Sequence, residues 1–123
     1  MVMKLLLVDD DAFLRDMYAT KFSEEGHEVQ VAKSGTEALE IIAHAGDFDL
    51  VMLDMVMPGM SGLDLLKGIT ELDSAKTPKC IVLSNQSESA EIDDAMAAGA
   101  VGYIIKAEMI PSDVVAEVKK LLA

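Results

Sequence analysis

Four consecutive apolar residues, Leu50-Val51-Met52-Leu53, run directly into an aspartate, Asp54, and then into Met55-Val56-Met57-Pro58-Gly59. A run so short and so uniformly apolar reads as a strand buried on both faces rather than as a helix. Pro58-Gly59 turns the chain just beyond it. Asp54 therefore falls at the carboxyl end of a buried strand, where open parallel sheets keep their ligand sites. Leu5-Leu6-Leu7-Val8 leading into Asp9-Asp10-Asp11 repeats the arrangement near the start of the chain. The two acidic ends are expected to meet in space, with the chemistry of the protein between them.

Around these two strands the sequence alternates strand and helix signals five times. Strands are expected at about Lys4–Val8, Glu28–Ala32, Leu50–Leu53, Cys80–Leu83 and Val101–Ile105. The first helix is expected at roughly Asp11–Glu25, with acidic residues in its first turn, Leu14, Met17, Tyr18 and Phe22 at helical spacing, and Gly26 as a left-handed stop. Ser34 caps the second helix, with Glu37 completing a capping box, and Gly46-Asp47 ends it. A third helix lies near Leu63–Leu72, before a break at Thr77-Pro78. The fourth carries Ile92, Ala95 and Met96 on one side and stops at Gly99, and the last runs from about Ser112 to Leu122. Five βα repeats with short connections imply an α/β fold, a parallel sheet with helices on both faces in a doubly wound order.

At 123 residues the chain is most simply one domain, 1–123, with no visible linker or internal repeat. No apolar run approaches the roughly 20 residues of a membrane span. The apolar start lacks the charged leader and small-residue cleavage site of a signal peptide. The lone Cys80 allows no internal disulfide and fits a reducing cytoplasm. A net charge of -12, with Arg15 the only arginine, argues against direct nucleic-acid binding and favours a cation wherever carboxylates gather.

Every strand of a parallel sheet ends at the same edge, so the strand-end residues Asp9, Asp10, Asp54, Ser84 and Lys106 are expected to converge. Like charges about 4 Å apart repel by about 4 kcal/mol at an effective dielectric near 20. Three carboxylates there call for a cation or for protonation, and an all-oxygen set without His or Cys suits Mg²⁺. A cation, a lysine and a hydroxyl around one carboxylate are the parts needed to settle a phosphoryl group on it. Taken singly, each residue has an ordinary explanation: an acidic helix start, a turn serine, a surface lysine. Together they are harder to dismiss.

In Leu6-Leu7-Val8-Asp9-Asp10-Asp11, Leu53-Asp54-Met55-Val56-Met57-Pro58-Gly59-Met60-Ser61-Gly62, Val82-Leu83-Ser84 and Gly102-Tyr103-Ile104-Ile105-Lys106, the chain resembles the receiver domain of two-component response regulators over its whole length. The resemblance implies a five-stranded sheet of order 2-1-3-4-5 with five helices. It implies Asp54 as phosphoacceptor from a phosphohistidine, on a sensor histidine kinase or a histidine phosphotransfer protein. Asp10, Asp54 and the Val56 carbonyl would bind Mg²⁺ directly, and Asp9 through water. Ser84 and Lys106 would contact the phosphoryl oxygens. Tyr103 would couple the site to a downstream partner on the face of helix four, strand five and helix five, with phosphorylation-dependent dimerisation a further option. The family acts in the cytoplasm as a signalling domain and not as an enzyme in the ordinary sense.

Two departures stand out. Asn85 occupies a position where the family usually has a small residue, beside the hydroxyl. Ala107 follows Lys106 where the family typically has proline, often after a cis bond. A cis bond before a non-proline residue costs about 2.5–4 kcal/mol, so a trans Lys106–Ala107 bond and an altered loop are expected, leaving the aim of Lys106 open to change. Val56 and Gln86 stand where the family tunes phosphoryl lifetime. The rival readings are a receiver-like module that signals without phosphate, an aspartyl-phosphate hydrolase, which Val56 disfavours, and a flavin binder. Met55, Met57 and Met60 are expected to fill gaps, Cys80 to be core, and His27 and His44 to occupy helix-end or exposed positions without function.

Overall fold

The computed structural model describes residues 2–72 and 77–123. Strands β1 (Lys4–Val8), β2 (Glu28–Ala32), β3 (Leu50–Leu53), β4 (Lys79–Ser84) and β5 (Gly102–Ile105) alternate with helices α1 (Ala12–Glu24), α2 (Gly35–Ala45), α3 (Gly62–Glu71), α4 (Ser89–Ala97) and α5 (Pro111–Leu122). The strands form one sheet of order β2-β1-β3-β4-β5, parallel throughout. The doubly wound α/β architecture is the one the alternation implied.

The two-residue period of the strands sorts the core into two layers. Leu6, Val8, Val51, Leu53, Cys80 and Val82 face one side, where they meet Ala38 and Ile42 of α2, Leu65, Leu66 and Ile69 of α3, and Ala95 of α4. Leu5, Leu7, Leu50, Met52, Ile81, Leu83 and Ile104 face the other, against Tyr18 and Phe22 of α1 and Val114, Val115 and Val118 of α5. All four residues of β3 are fully buried, which is why its sequence shows no polar alternation. Met55 and Met57 pack into the same core, as gap-fillers do, with Met60 against its edge. Cys80 is buried too.

Several local details differ from the sequence reading. Asp11 does not lie inside α1; it caps it, its carboxylate accepting the Leu14 N–H at 3.1 Å, so the first turn holds no acid. Ser34 Oγ accepts the Glu37 N–H at 3.1 Å, but the Glu37 carboxylate reaches back one residue further than a capping box requires, to Lys33 N–H at 3.2 Å. Gly26 does take a positive φ, +91°, where α1 ends. Met96 on α4 is 44% exposed, while Ala95 is buried.

His27 is not exposed. It is buried just ahead of β2, its Nδ1 accepting the Met3 N–H at 3.1 Å, with Nε2 lacking a partner among the described residues. His44 is exposed and lies 2.8 Å from the Glu40 carbonyl.

Candidate functional site

Register places the acidic ends side by side. Val8 pairs with Leu53, so Asp9 and Asp54 are the next residues on adjacent strands. Each backbone N–H still extends the ladder, Asp9 to the Ala32 carbonyl and Asp54 to the Val8 carbonyl, both at 3.2 Å. The order β2-β1-β3 means that the chain leaves β1 toward one edge of the sheet and resumes at β3 on the other side. The site therefore lies at the topological switch point.

One carboxylate oxygen from each of Asp9, Asp10 and Asp54 lies within 4.8 Å of the others. Asp9 is buried, Asp54 half-buried and Asp10 exposed, so the cluster grades from core to solvent. A divalent cation fits this donor set: three hard oxygen ligands in reach of one point, open to water on the Asp10 side.

Lys106 follows β5, two strands away from β3. Strands are about 4.8 Å apart, so only a long side chain spans that gap. Its ammonium donates to Asp9 Oδ2 at 2.6 Å and to Asp54 Oδ2 at 2.8 Å. Burial works against the charge, but the hydrogen bonds and charges of Asp54 and Asp9 outweigh it and hold the ammonium above its ordinary value. The described residues contain no cis peptide bond, and Lys106–Glu108 form a 3₁₀ turn. The loop is trans, as Ala107 predicted, and Lys106 still points at both carboxylates.

The loop after β3 is held by a backbone contact. Gly62 donates its N–H to the Met55 carbonyl at 2.9 Å. A Cβ there would overlap the Asp54 carbonyl oxygen and lie 2.6 Å from Met55 Cα. Gly59 takes φ +80°, which suits the Pro58-Gly59 turn. Within this loop the Val56 N–H donates to Asp54 Oδ1 at 3.2 Å, steadying the carboxylate, while the Val56 side chain faces solvent.

Ser84 is buried at the end of β4, its Oγ accepting the Gln86 N–H at 3.2 Å. Among the described residues no hydrogen bond joins it to Asp54. Asn85, next to it, is exposed. Tyr103 on β5 packs its ring against the core and donates its hydroxyl to the Gln86 carbonyl at 2.7 Å. Burial raises the Tyr103 hydroxyl above its ordinary value, with the adjacent Ser84 hydroxyl opposing and the Glu91 and Asp54 charges adding.

Two contributions escaped the strand-end reasoning. The Asp11 N–H donates to Asp9 Oδ1 at 2.9 Å, and Arg15 Nη1 donates to the Asp9 carbonyl at 3.2 Å. The signal available in the sequence was the position of the only arginine, one helical turn past Asp11.

A parallel sheet of this order, with carboxylates at the β1 and β3 ends and a lysine reaching over from β5, agrees with what comparison with known proteins finds. The family model for the response regulator receiver domain matches residues 5–119. The chemotaxis protein CheY of Thermotoga maritima is 36% identical over 119 residues, covering 96% of each chain. Chemotaxis protein CheY-3 of Vibrio cholerae is 36% identical over 105 residues, covering 85% of this chain and 80% of that one. Among solved structures, chemotaxis protein CheY4 of Vibrio cholerae superposes with a TM-score of 0.89 at 26% identity, covering 98% of this chain and 99% of its own. The chain belongs to the response regulator receiver domain family, whose members are signalling domains of two-component systems.

Proposed function

We propose that residues 1–123 act as one receiver domain that accepts a phosphoryl group on Asp54. The donor would be a phosphohistidine of a sensor histidine kinase or of a histidine phosphotransfer protein. The observation that carries this reading is the Lys106 ammonium, 2.8 Å from Asp54 Oδ2 with Asp9 and Asp10 alongside. In the transfer an Asp54 oxygen attacks phosphorus, the bond from phosphorus to the donor imidazole breaks, and an acyl phosphate forms. Lys106 offsets the charge on the transferred oxygens, and the Ser84 hydroxyl donates to one of them. The Val56 N–H holds the other Asp54 oxygen in place. Asp9, Asp10, Asp54 and the Val56 carbonyl would hold Mg²⁺, which when bound neutralises charge developing on the phosphoryl group.

Phosphorylation would then alter partner binding. Tyr103, tied to the Gln86 carbonyl two residues past Ser84, connects the site to the face of α4, β5 and α5. We assign a protein target to that face, with phosphorylation-dependent pairing of two copies as a variant of the same device. The net charge of -12 supports a protein rather than a nucleic-acid partner. Among the described residues no helix is long and apolar enough to cross a membrane, and we place the protein's action in the cytoplasm.

The test is incubation with acetyl phosphate and Mg²⁺, followed by intact mass. One adduct of about 80 Da is expected, absent without Mg²⁺ and absent in Asp54→Asn. A folded wild-type protein that gains no mass from this donor or from a phosphorylated kinase would favour a receiver that signals without phosphate.

A further inference from the structure

We propose that Arg15 is a positioning residue for the cation site, orienting the Asp9–Asp10 peptide and through it the Asp10 carboxylate. The inference rests on the Mg²⁺ site of the reading above and adds a residue to it. Asp10 is exposed, and its place two residues past the end of β1 leaves its direction unset by the sheet. Asp9 is held at three atoms: its N–H by the Ala32 carbonyl, Oδ1 by the Asp11 N–H and Oδ2 by Lys106. The Asp11 N–H bond closes an Asx turn across the peptide that follows but takes no hold of that peptide's carbonyl oxygen. The Arg15 guanidinium holds it, donating to the Asp9 carbonyl oxygen at 3.2 Å. That oxygen belongs to the same planar unit as the Asp10 N–H. Rotating the plane would swing the Asp10 Cα–Cβ bond, and with it the carboxylate, away from Asp9 and Asp54.

Arg15 gains little for itself in this position. Its Nε is buried, has no hydrogen-bond partner among the described residues and stands 3.8 Å from Asp16 Oδ1, too long for a hydrogen bond. Nη1 meets the one carbonyl that precedes Asp10.

The test measures Mg²⁺ binding by calorimetry on unphosphorylated wild-type, Arg15→Gln, Arg15→Met and Arg15→Lys proteins. Residues that orient a ligand from behind typically change metal affinity roughly 10- to 100-fold when removed. Arg15→Gln and Arg15→Met should weaken Mg²⁺ at least about tenfold, with partial recovery in Arg15→Lys, which retains a donor for the carbonyl. In the metal-free proteins the Asp10 and Asp11 amide resonances should move while those of β3 stay in place. Mg²⁺ affinity equal to wild type in folded Arg15→Gln and Arg15→Met would overturn the inference and leave the phosphoacceptor reading intact. Absence of Mg²⁺ binding by the wild-type protein would overturn both. Should one of the two neutral variants fail to fold, the other and Arg15→Lys still decide.

Discussion

Lys106→Met removes the cation that the cluster contains in the absence of metal, while keeping most of the apolar stem. The ammonium lies 2.6 Å from Asp9 and 2.8 Å from Asp54, and its side chain is 6% exposed. Deleting one partner of a buried pair costs about 3–5 kcal/mol, because the other charge stays buried and unpaired. Repulsion among the remaining carboxylates gives a similar figure. At the 4.8 Å limit of their oxygen separation, each pair repels by about 3.5 kcal/mol at an effective dielectric near 20. Asp10 is exposed and screened, so one such pair, Asp9 with Asp54, dominates.

Urea unfolding at pH 7 without divalent cations, followed by circular dichroism, should show a loss of about 4 kcal/mol. With a slope of about 2 kcal/mol/M, the midpoint falls by about 2 M. Adding Asp9→Asn should return part of that loss, since it removes the stranded charge, so the double variant loses less than the sum of the singles. The pH dependence has a definite sign. Lys106 is held above its ordinary value, so its contribution is complete below about pH 10.5 and fades as pH rises through its folded value. Wild type should therefore lose more stability than Lys106→Met in that alkaline window. A loss under about 1 kcal/mol at pH 7, or strict additivity with Asp9→Asn, would refute the reasoning.

His27 is held below its ordinary value by burial first, then by Lys119 and the amino terminus, with Glu25 opposing. Its neutral form accepts from Met3 N–H, so protonation at Nδ1 would set two donors against each other. Stability should fall as pH drops below about 6.5, more steeply in wild type than in His27→Gln, and parallel urea midpoints would contradict this. Gly62→Ala forces a methyl group into the Asp54 carbonyl and Met55 backbone. It should cost about 3 kcal/mol or more, since no rotamer relieves a backbone overlap; a midpoint unchanged from wild type would argue against it. Burial pushes the Cys80 thiol up to about 12. Thiol reagents at pH 8 should label it only at the rate of unfolding, and immediate labelling of folded protein would show the strand open.

Legibility from sequence followed how locally each feature is encoded. Uninterrupted apolar strands, the Pro58-Gly59 turn and the glycine after α1 report on neighbouring residues, so the α/β architecture could be read directly. The meeting of Asp9 with Asp54 could be read as well, because parallel strands end at one edge and both aspartates come immediately after their strands. Two of the three differences within elements are matters of one residue: Asp11 sits on the cap instead of in the helix, and the Glu37 carboxylate serves Lys33. Met96 lies beside buried Ala95 on α4, and periodicity alone does not show how far that helix rolls toward solvent. His27 does follow the end of α1, but its burial was hidden for a different reason. Its partner is a backbone N–H 24 residues away, and a polar residue just ahead of a strand carries no mark of such a pairing. The hold of Arg15 on the Asp9 carbonyl was only hinted at by the position of the one arginine, since the contact turns on the direction of a peptide group rather than on a pattern of side chains.

The central claim is that Asp54 is the phosphoacceptor, and intact mass after acetyl phosphate and Mg²⁺ tests it most directly. The account predicts a gain of about 80 Da in wild type, with the modified peptide mapping to Asp54 and no gain in Asp54→Asn. Undiminished labelling of folded Asp54→Asn would contradict it and move the chemistry to another residue.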